Sequence, residues 1–215
     1  MTLPLWYIVL CFVPLLTVEI ILIIRCKKEF ALLLQVAVLL GLVSLIPATL
    51  IQTLSSKLLL GKLLTKSALL ELLVYSLLIN GFVEEAAKAG CLFFLPFKKI
   101  SFTQLLLLAA VAGLSFASFE TVIYLINGTK NLFLRFCTAQ MLHAACTVCS
   151  AVTVWNIKAK RNVGFSWFAR AFLLHGFYNF FYTLGSGFIA CAIFCLLASA
   201  IYAYKAYAAS KNQQN

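Results

Sequence analysis

The chain has 215 residues, 64% of them hydrophobic and 11% charged, with a net charge of +11 and a mean hydropathy of +1.03. A water-soluble domain carries about 25% charged residues, and no aqueous fold of this length hides so much apolar surface. The composition predicts an all-α, polytopic helical bundle in a lipid bilayer. Its basic excess lies at helix ends, where it sets orientation and meets anionic headgroups, and it points away from nucleic acid as a partner.

A spanning helix needs about 20 apolar residues. On that measure the sequence predicts about seven transmembrane helices in a single integral membrane domain, residues 1–215. The first span is Leu3–Ile24. It lacks the basic leader and small-residue cleavage site of a secretory signal, so it reads as a retained span. Glu19 lies near its basic end, Arg25-Cys26-Lys27-Lys28, and is expected to snorkel or face a lumen. The second span is Phe30–Leu54, with a kink expected at Pro47. Gln52 to Lys66 sets Lys57, Lys62 and Lys66 among leucines and reads as an interfacial amphipathic helix.

The third span, Ser67–Pro96, carries Glu84-Glu85-Ala-Ala-Lys88. The fourth, Phe102–Ile126, carries Phe116, Glu120 and Tyr124. The fifth, Leu132–Ile157, carries Gln140 and His143, and the sixth, Phe165–Leu184, carries His175 and Asn179. Gly185-Ser186-Gly187 turns the chain into the seventh, Phe188–Tyr207. Seven spans put the termini on opposite sides. Eleven Lys and Arg then share the side of the C-terminus, and five, Arg135 among them, lie on the other. The positive-inside rule makes the N-terminus external and the C-terminus cytoplasmic.

An ionised side chain in hydrocarbon costs ~2.5–3.5 kcal/mol on insertion scales, so charges inside spans mark function. All six acidic residues are Glu, and three of them, Glu84, Glu85 and Glu120, fall in apolar runs with both histidines. Glu84 and Lys88 are spaced i,i+4 and are expected to pair. Glu85 is rotated about 100° from Glu84, which leaves it free to work. His175 and Asn179 repeat the spacing and can aim at one point. At about 1.5 Å per residue, Glu85, His143 and His175 all lie about 15–16 Å deep, near the midplane of a core about 30 Å thick. Glu120 is only about 9 Å from its span's end, which a tilt or a break near Gly113 would reconcile.

Three chemistries fit these groups. A buried Glu can act as general base on water. Two histidines with Glu carboxylates form a zinc set with one position open for water. The same His and Asn can donate to an oxyanion. Each is hydrolytic, and a site at this depth calls for a membrane-embedded substrate. The same residues would also serve a proton relay in a transporter or ion path, or a catalytically silent protein that binds a membrane partner. Cys146-x-x-Cys149 has metal or redox spacing, but its apolar helix makes packing the better reading.

Glu84-Glu85-Ala-Ala-Lys88 resembles the EExxK motif of the PrsW-type intramembrane proteases. Phe116-Ala-Ser-Phe-Glu120, followed by Tyr124, looks like their FxxxE motif with its tyrosine. His143-Ala-Ala-Cys-Thr147 and His175-Gly-Phe-Tyr-Asn179 resemble their two later histidine motifs, in the same order. The resemblance covers about Gly81 to Phe181, inside a motif-bearing core of about 67–185. Thr121 departs from the Asn that often follows the second-motif Glu. The resemblance places the chain in the wider superfamily of CAAX prenyl endopeptidases and bacteriocin-processing membrane proteins. It implies a protease of the cell (inner) membrane whose substrate is a membrane-anchored protein, in some members an anti-sigma factor. It implies Glu84 and Glu85 as the pair that activates water, with Glu85 favoured as the base because Glu84 has Lys88 as partner. Glu120, His143 and His175 complete the catalytic site, and Asn179 assists His175. If a metal is bound, the expected ion is divalent, zinc first, with Glu85, Glu120, His143 and His175 as ligands; a glutamate-type mechanism needs none.

Overall fold

The structure is a computed structural model that describes residues 5–26, 28–58, 68–128, 132–162 and 164–212. Among the described residues there is helix and turn and no strand. The helices are α1 (Leu5–Arg25), α2 (Lys28–Leu58), α3 (Ala68–Val74), α4 (Glu84–Leu92), α5 (Phe102–Ile126), α6 (Leu132–Lys158), α7 (Phe165–Leu184) and α8 (Ile189–Asn212). A π-helical segment, Tyr75–Val83, joins α3 to α4. The backbone stays helical through both junctions, with φ −62° and ψ −43° at Val74 and φ −63° and ψ −44° at Val83. The three pieces therefore make one continuous run, and the described residues form seven such runs.

Among the described residues, five helices are long and apolar enough to cross a membrane: Trp6–Arg25, Lys28–Ser55, Phe102–Ile126, Phe133–Lys158 and Ser186–Asn212. The other two of the expected seven fall short for a physical reason. The third run is broken by π winding into α pieces of 7 and 9 residues. α7 has the length, 20 residues, but Arg170, His175 and Asn179 dilute its hydropathy. These are the two runs that carry the first and last motifs.

α5 and α6 form the centre, with most of their residues buried, whereas α1 and α8 turn large apolar side chains such as Ile24 and Phe194 outward. One apolar cluster, including Leu34, Leu105, Leu108 and Val148, packs α1, α2, α5 and α6 together. A second, including Leu142, Cys146, Cys149, Tyr178 and Cys195, joins α6, α7 and α8. Without a hydrophobic drive between helices in lipid, close backbone approach at small residues holds such bundles. α5 runs unbroken through Gly113, so the expected break there is absent. A Cβ on Gly113 would stand 2.7 Å from the His143 carbonyl oxygen and 2.8 Å from Ala144 Cα, so this crossing of α5 and α6 requires glycine. A second crossing sets Gly176 of α7 against the π segment, where a Cβ would lie 2.7 Å from Leu77 Cα.

Two further expectations change. α2 continues past Gln52 to Leu58, so the proposed interfacial helix at Gln52–Lys66 begins instead as the end of α2; residues 59–67 lie outside the described residues. Glu19 is buried and accepts a hydrogen bond from Gln35 of α2, so it is satisfied between helices and does not snorkel.

Candidate active site

The two glycine crossings bring four helical runs to one point. α4 delivers Glu84, Glu85 and Lys88 on its first turns, α5 delivers Glu120, α6 delivers His143, and α7 delivers His175. Glu84, Glu85, Lys88, His143 and His175 are all at most 2% exposed. The depth mismatch of Glu120 resolves through side-chain direction. α5 and α6 run antiparallel, with Gly113 against Ala144 and Glu120 against Arg135. Side chains lean toward their own helix N-terminus, so Glu120 leans inward and His143 leans outward until they meet. Glu120 Oε2 and His143 Nε2 are 3.1 Å apart.

The site is built from two parallel arms. In the first, Lys88 pairs with Glu85 Oε1, and that oxygen also stands 2.9 Å from His175 Nδ1. Ser150 of α6 donates to Glu85 Oε2 at 3.0 Å. In the second arm, Arg135 of α6 donates from Nη2 to Glu120 Oε2 at 3.0 Å, and the same oxygen faces His143 Nε2. Each arm is a cation, a carboxylate and an imidazole in sequence. A ring nitrogen held by a carboxylate carries the proton, which leaves a lone pair on the other nitrogen. Those other nitrogens, His143 Nδ1 and His175 Nε2, lie 3.9 and 3.5 Å from one atom, Glu84 Oε2. The two rings meet edge to face with centroids 4.6 Å apart.

Glu84 is thus the point of convergence. Gln52 of α2 donates to its Oε1 at 2.6 Å and also lies 3.5 Å from Asn80. Glu84 Oε2 and His175 Nε2 are buried without a hydrogen-bond partner among the described residues. Two buried electron pairs facing one another at 3.5 Å are unfavourable unless a positive or proton-donating group sits between them. Among the described residues Glu84, His143 and His175 form the group able to hold a metal ion, with ligand atoms within 4.8 Å of one another. Ligands bonded at about 2.0–2.1 Å to a tetrahedral ion stand about 3.4 Å apart, close to the Glu84–His175 separation. The Lys88 ammonium lies 3.2 Å from His143 Nδ1, so a bound cation would take over that contact.

This geometry revises the expected roles. Lys88 pairs with Glu85, not Glu84. Both spacings, i,i+3 and i,i+4, make helix neighbours, and the choice falls to Glu85 because His175 and Ser150 already hold it on that side. Glu85 and Glu120 stand behind the imidazoles, while Glu84 stands with them. Asn179 is half-buried, and its side chain makes no hydrogen bond among the described residues, so it does not join His175 as expected. Phe116 walls the site, with Lys88 Nζ 4.7 Å from its ring centroid and the His143 ring 5.2 Å away. Cys146 and Cys149 are free thiols in apolar packing.

Sequence reasoning missed Gln52, Ser150 and Arg135. Gln52 falls in the expected interfacial segment, Ser150 carries no charge to mark it, and Arg135 reads as one of the outer basic residues. A usable signal existed on α6: Arg135, His143 and Ser150 fall within a stripe about 80° wide.

A helical membrane bundle with a buried Glu–His–His centre able to hold one ion is the class that fold and site define. The chain belongs to the family described as PrsW family intramembrane metalloproteases, whose model matches residues 29–205. That match extends beyond the legible motifs to α2 and most of α8. Neither a curated protein nor a solved structure matches the chain. The protein is therefore a member of a family of membrane proteases, with a buried group suited to the divalent metal that the family's description implies.

Proposed function

We propose that this protein is an intramembrane endopeptidase that hydrolyses a peptide bond of a membrane-anchored protein at Glu84, His143 and His175. The observation that carries this reading is the convergence of two carboxylate-held imidazoles on the unpartnered Glu84 Oε2. A water seated among these three atoms donates to Glu84 Oε2, which takes its proton as the peptide carbonyl is attacked. Gln52 holds the other Glu84 oxygen and fixes the plane of the carboxylate. Glu85 and Glu120 fix the two rings, and Lys88 places positive charge beside the reacting centre. A divalent ion held at that point by Glu84, His143 and His175, zinc being the best fit to this donor set, would take the place of general-base action by Glu84 Oε2, which would then be its ligand, and would supply Lewis acidity and a more acidic bound water. The buried position of the site suits a substrate that enters from the bilayer, of the anti-sigma-factor type implied by the motifs. With Arg135 removed from the outer count, eleven basic residues remain on the C-terminal side and four on the other. This supports an external N-terminus and cytoplasmic C-terminus in the cell (inner) membrane.

The test is cleavage of a membrane-anchored reporter by the purified protein in lipid nanodiscs. Glu84→Gln is expected to abolish cleavage while the protein still melts as the parent does. Full cleavage by folded Glu84→Gln would sink the reading, and proton-driven flux through liposomes without cleavage would favour a transporter.

A further inference from the structure

We propose that Arg135 is a positioning residue for the site: it fixes the Glu120 carboxylate so that His143 presents Nδ1, and not Nε2, toward Glu84. An arginine inside a spanning helix is among the costliest residues to bury, yet Arg135 is only 6% exposed. It reaches to the one Glu120 oxygen that also faces His143, at 3.0 Å, with the imidazole at 3.1 Å. The guanidinium lies over the Tyr124 ring, 3.6 Å from its centroid. Tyr124 is one helical turn beyond Glu120, so α5 supplies both the acid and the surface on which the arginine lies flat. Nη2 and the stacked plane together fix the direction from which the charge meets Glu120. Thr138 and Tyr178, bonded to each other at 2.5 Å, buttress the same end of α6 against α7.

The consequence concerns the imidazole. An imidazole has two nitrogens and can present either one. His175 has its choice made by Glu85, which Lys88 and Ser150 hold from two further directions. His143 has Glu120 at Nε2 and, 3.2 Å from Nδ1, the Lys88 ammonium that already pairs with Glu85; among the described residues Glu120 has Arg135 alone besides the ring it must orient. Remove Arg135 and Glu120 is free to rotate or to find another donor, and His143 loses the acceptor that holds its Nε2–H, which leaves Lys88 alone to orient the ring. A lysine keeps the charge but cannot lie flat on a ring or fork its donors, so it should restore the tautomer while weakening the geometry.

The proposal rests on the reading of Glu84, His143 and His175 as the reacting centre. Its test does not depend on proteolysis, so it can fail while that reading stands. The chain has two histidines, His143 and His175, so ¹⁵N-histidine labelling of the full-length protein in nanodiscs gives two resolvable rings. In the metal-free parent we expect one ring protonated at Nε2, assigned to His143 by its absence in His143→Gln, and one protonated at Nδ1. In Arg135→Gln the His143 Nε2–H signal should shift as its Glu120 acceptor is lost, while those of His175 stay. Cobalt(II) affinity of the same sample should fall about 10- to 100-fold, the usual effect of losing an outer-shell partner. Arg135→Lys should keep the Nε2–H form. A folded Arg135→Gln protein with an unchanged His143 spectrum would overturn the proposal and leave Arg135 as a charge partner for Glu120 alone. Should Arg135→Gln fail to fold, a folded Arg135→Lys protein with a scrambled His143 ring would overturn it equally.

Discussion

The Lys88–Glu85–His175 arm and the Arg135–Glu120–His143 arm perform the same task with different construction. The first is compact. Its cation and carboxylate sit three residues apart on α4, Ser150 adds a third donor, and every member is at most 2% exposed. The second spans two helices, has no third donor among the described residues, and leaves the Glu120 side chain 12% exposed. The first arm is therefore the more enclosed and rigid one, and the second lies at the edge of the site. Glu84 belongs to neither, because its free oxygen is what both arms aim at.

The largest effect should come from that shared point. Glu84→Gln keeps the shape and the Gln52 contact but removes the charge of the proposed base or ligand, and should lower reporter cleavage about 10²- to 10⁴-fold with little change in melting. A variant that cleaves at the parental rate would break the comparison at its centre. Next comes stability. Glu85→Ala leaves the buried Lys88 ammonium unpaired and should cost about 3–5 kcal/mol, read by thermal melting in detergent. Glu120→Ala should cost less, because the Glu120–Arg135 pair is the less enclosed. The reverse order would contradict the assignment of a rigid and an edge arm. A third test separates the crossings that carry the arms. Leucine at Gly113 pushes α5 off α6, and leucine at Gly176 pushes α7 off the π segment. Each overpacked crossing should cost at least about 1–3 kcal/mol, with cobalt(II) binding reporting which histidine has been displaced. The smallest effect is expected at Cys146 and Cys149. Cys146→Ala with Cys149→Ala should leave metal stoichiometry unchanged and cleavage within about twofold, since both thiols only pack; loss of metal would return them to the site.

The two arms also differ in how far the sequence announced them. Glu85 and Lys88 lie in one short polar island in an apolar run, and insertion cost alone marks them. His143 and His175 stand out for the same reason. Arg135 does not, because it is the fourth residue of α6, where a basic residue ordinarily anchors a helix end. Its partner was visible only once Glu120 and His143 were seen to lean toward each other. The pairing of Lys88 was decided by tertiary contacts, since helix spacing allows Glu84 and Glu85 alike. The π winding of Tyr75–Val83 left no mark in the hydrophobic pattern, and it changes the face on which Glu84 and Glu85 emerge; π segments of this kind recur at functional sites. Gln52 reads as a polar residue near a helix end, and only the packing of α2 on α4 makes it the partner of Glu84. The bundle itself, its order of helices and the turn at Gly185 were legible from apolar run length and glycine alone.

The most direct test of the account is X-ray absorption on the cobalt- or zinc-loaded full-length protein, comparing the parent with Glu84→Gln and Glu85→Gln. The parent should show two imidazoles and a carboxylate oxygen around the ion. Glu84→Gln should lose that oxygen, and Glu85→Gln should keep the same ligands with weaker binding. Loss of the carboxylate ligand in Glu85→Gln, with Glu84→Gln unchanged, would contradict it and return Glu85 to the centre of the site.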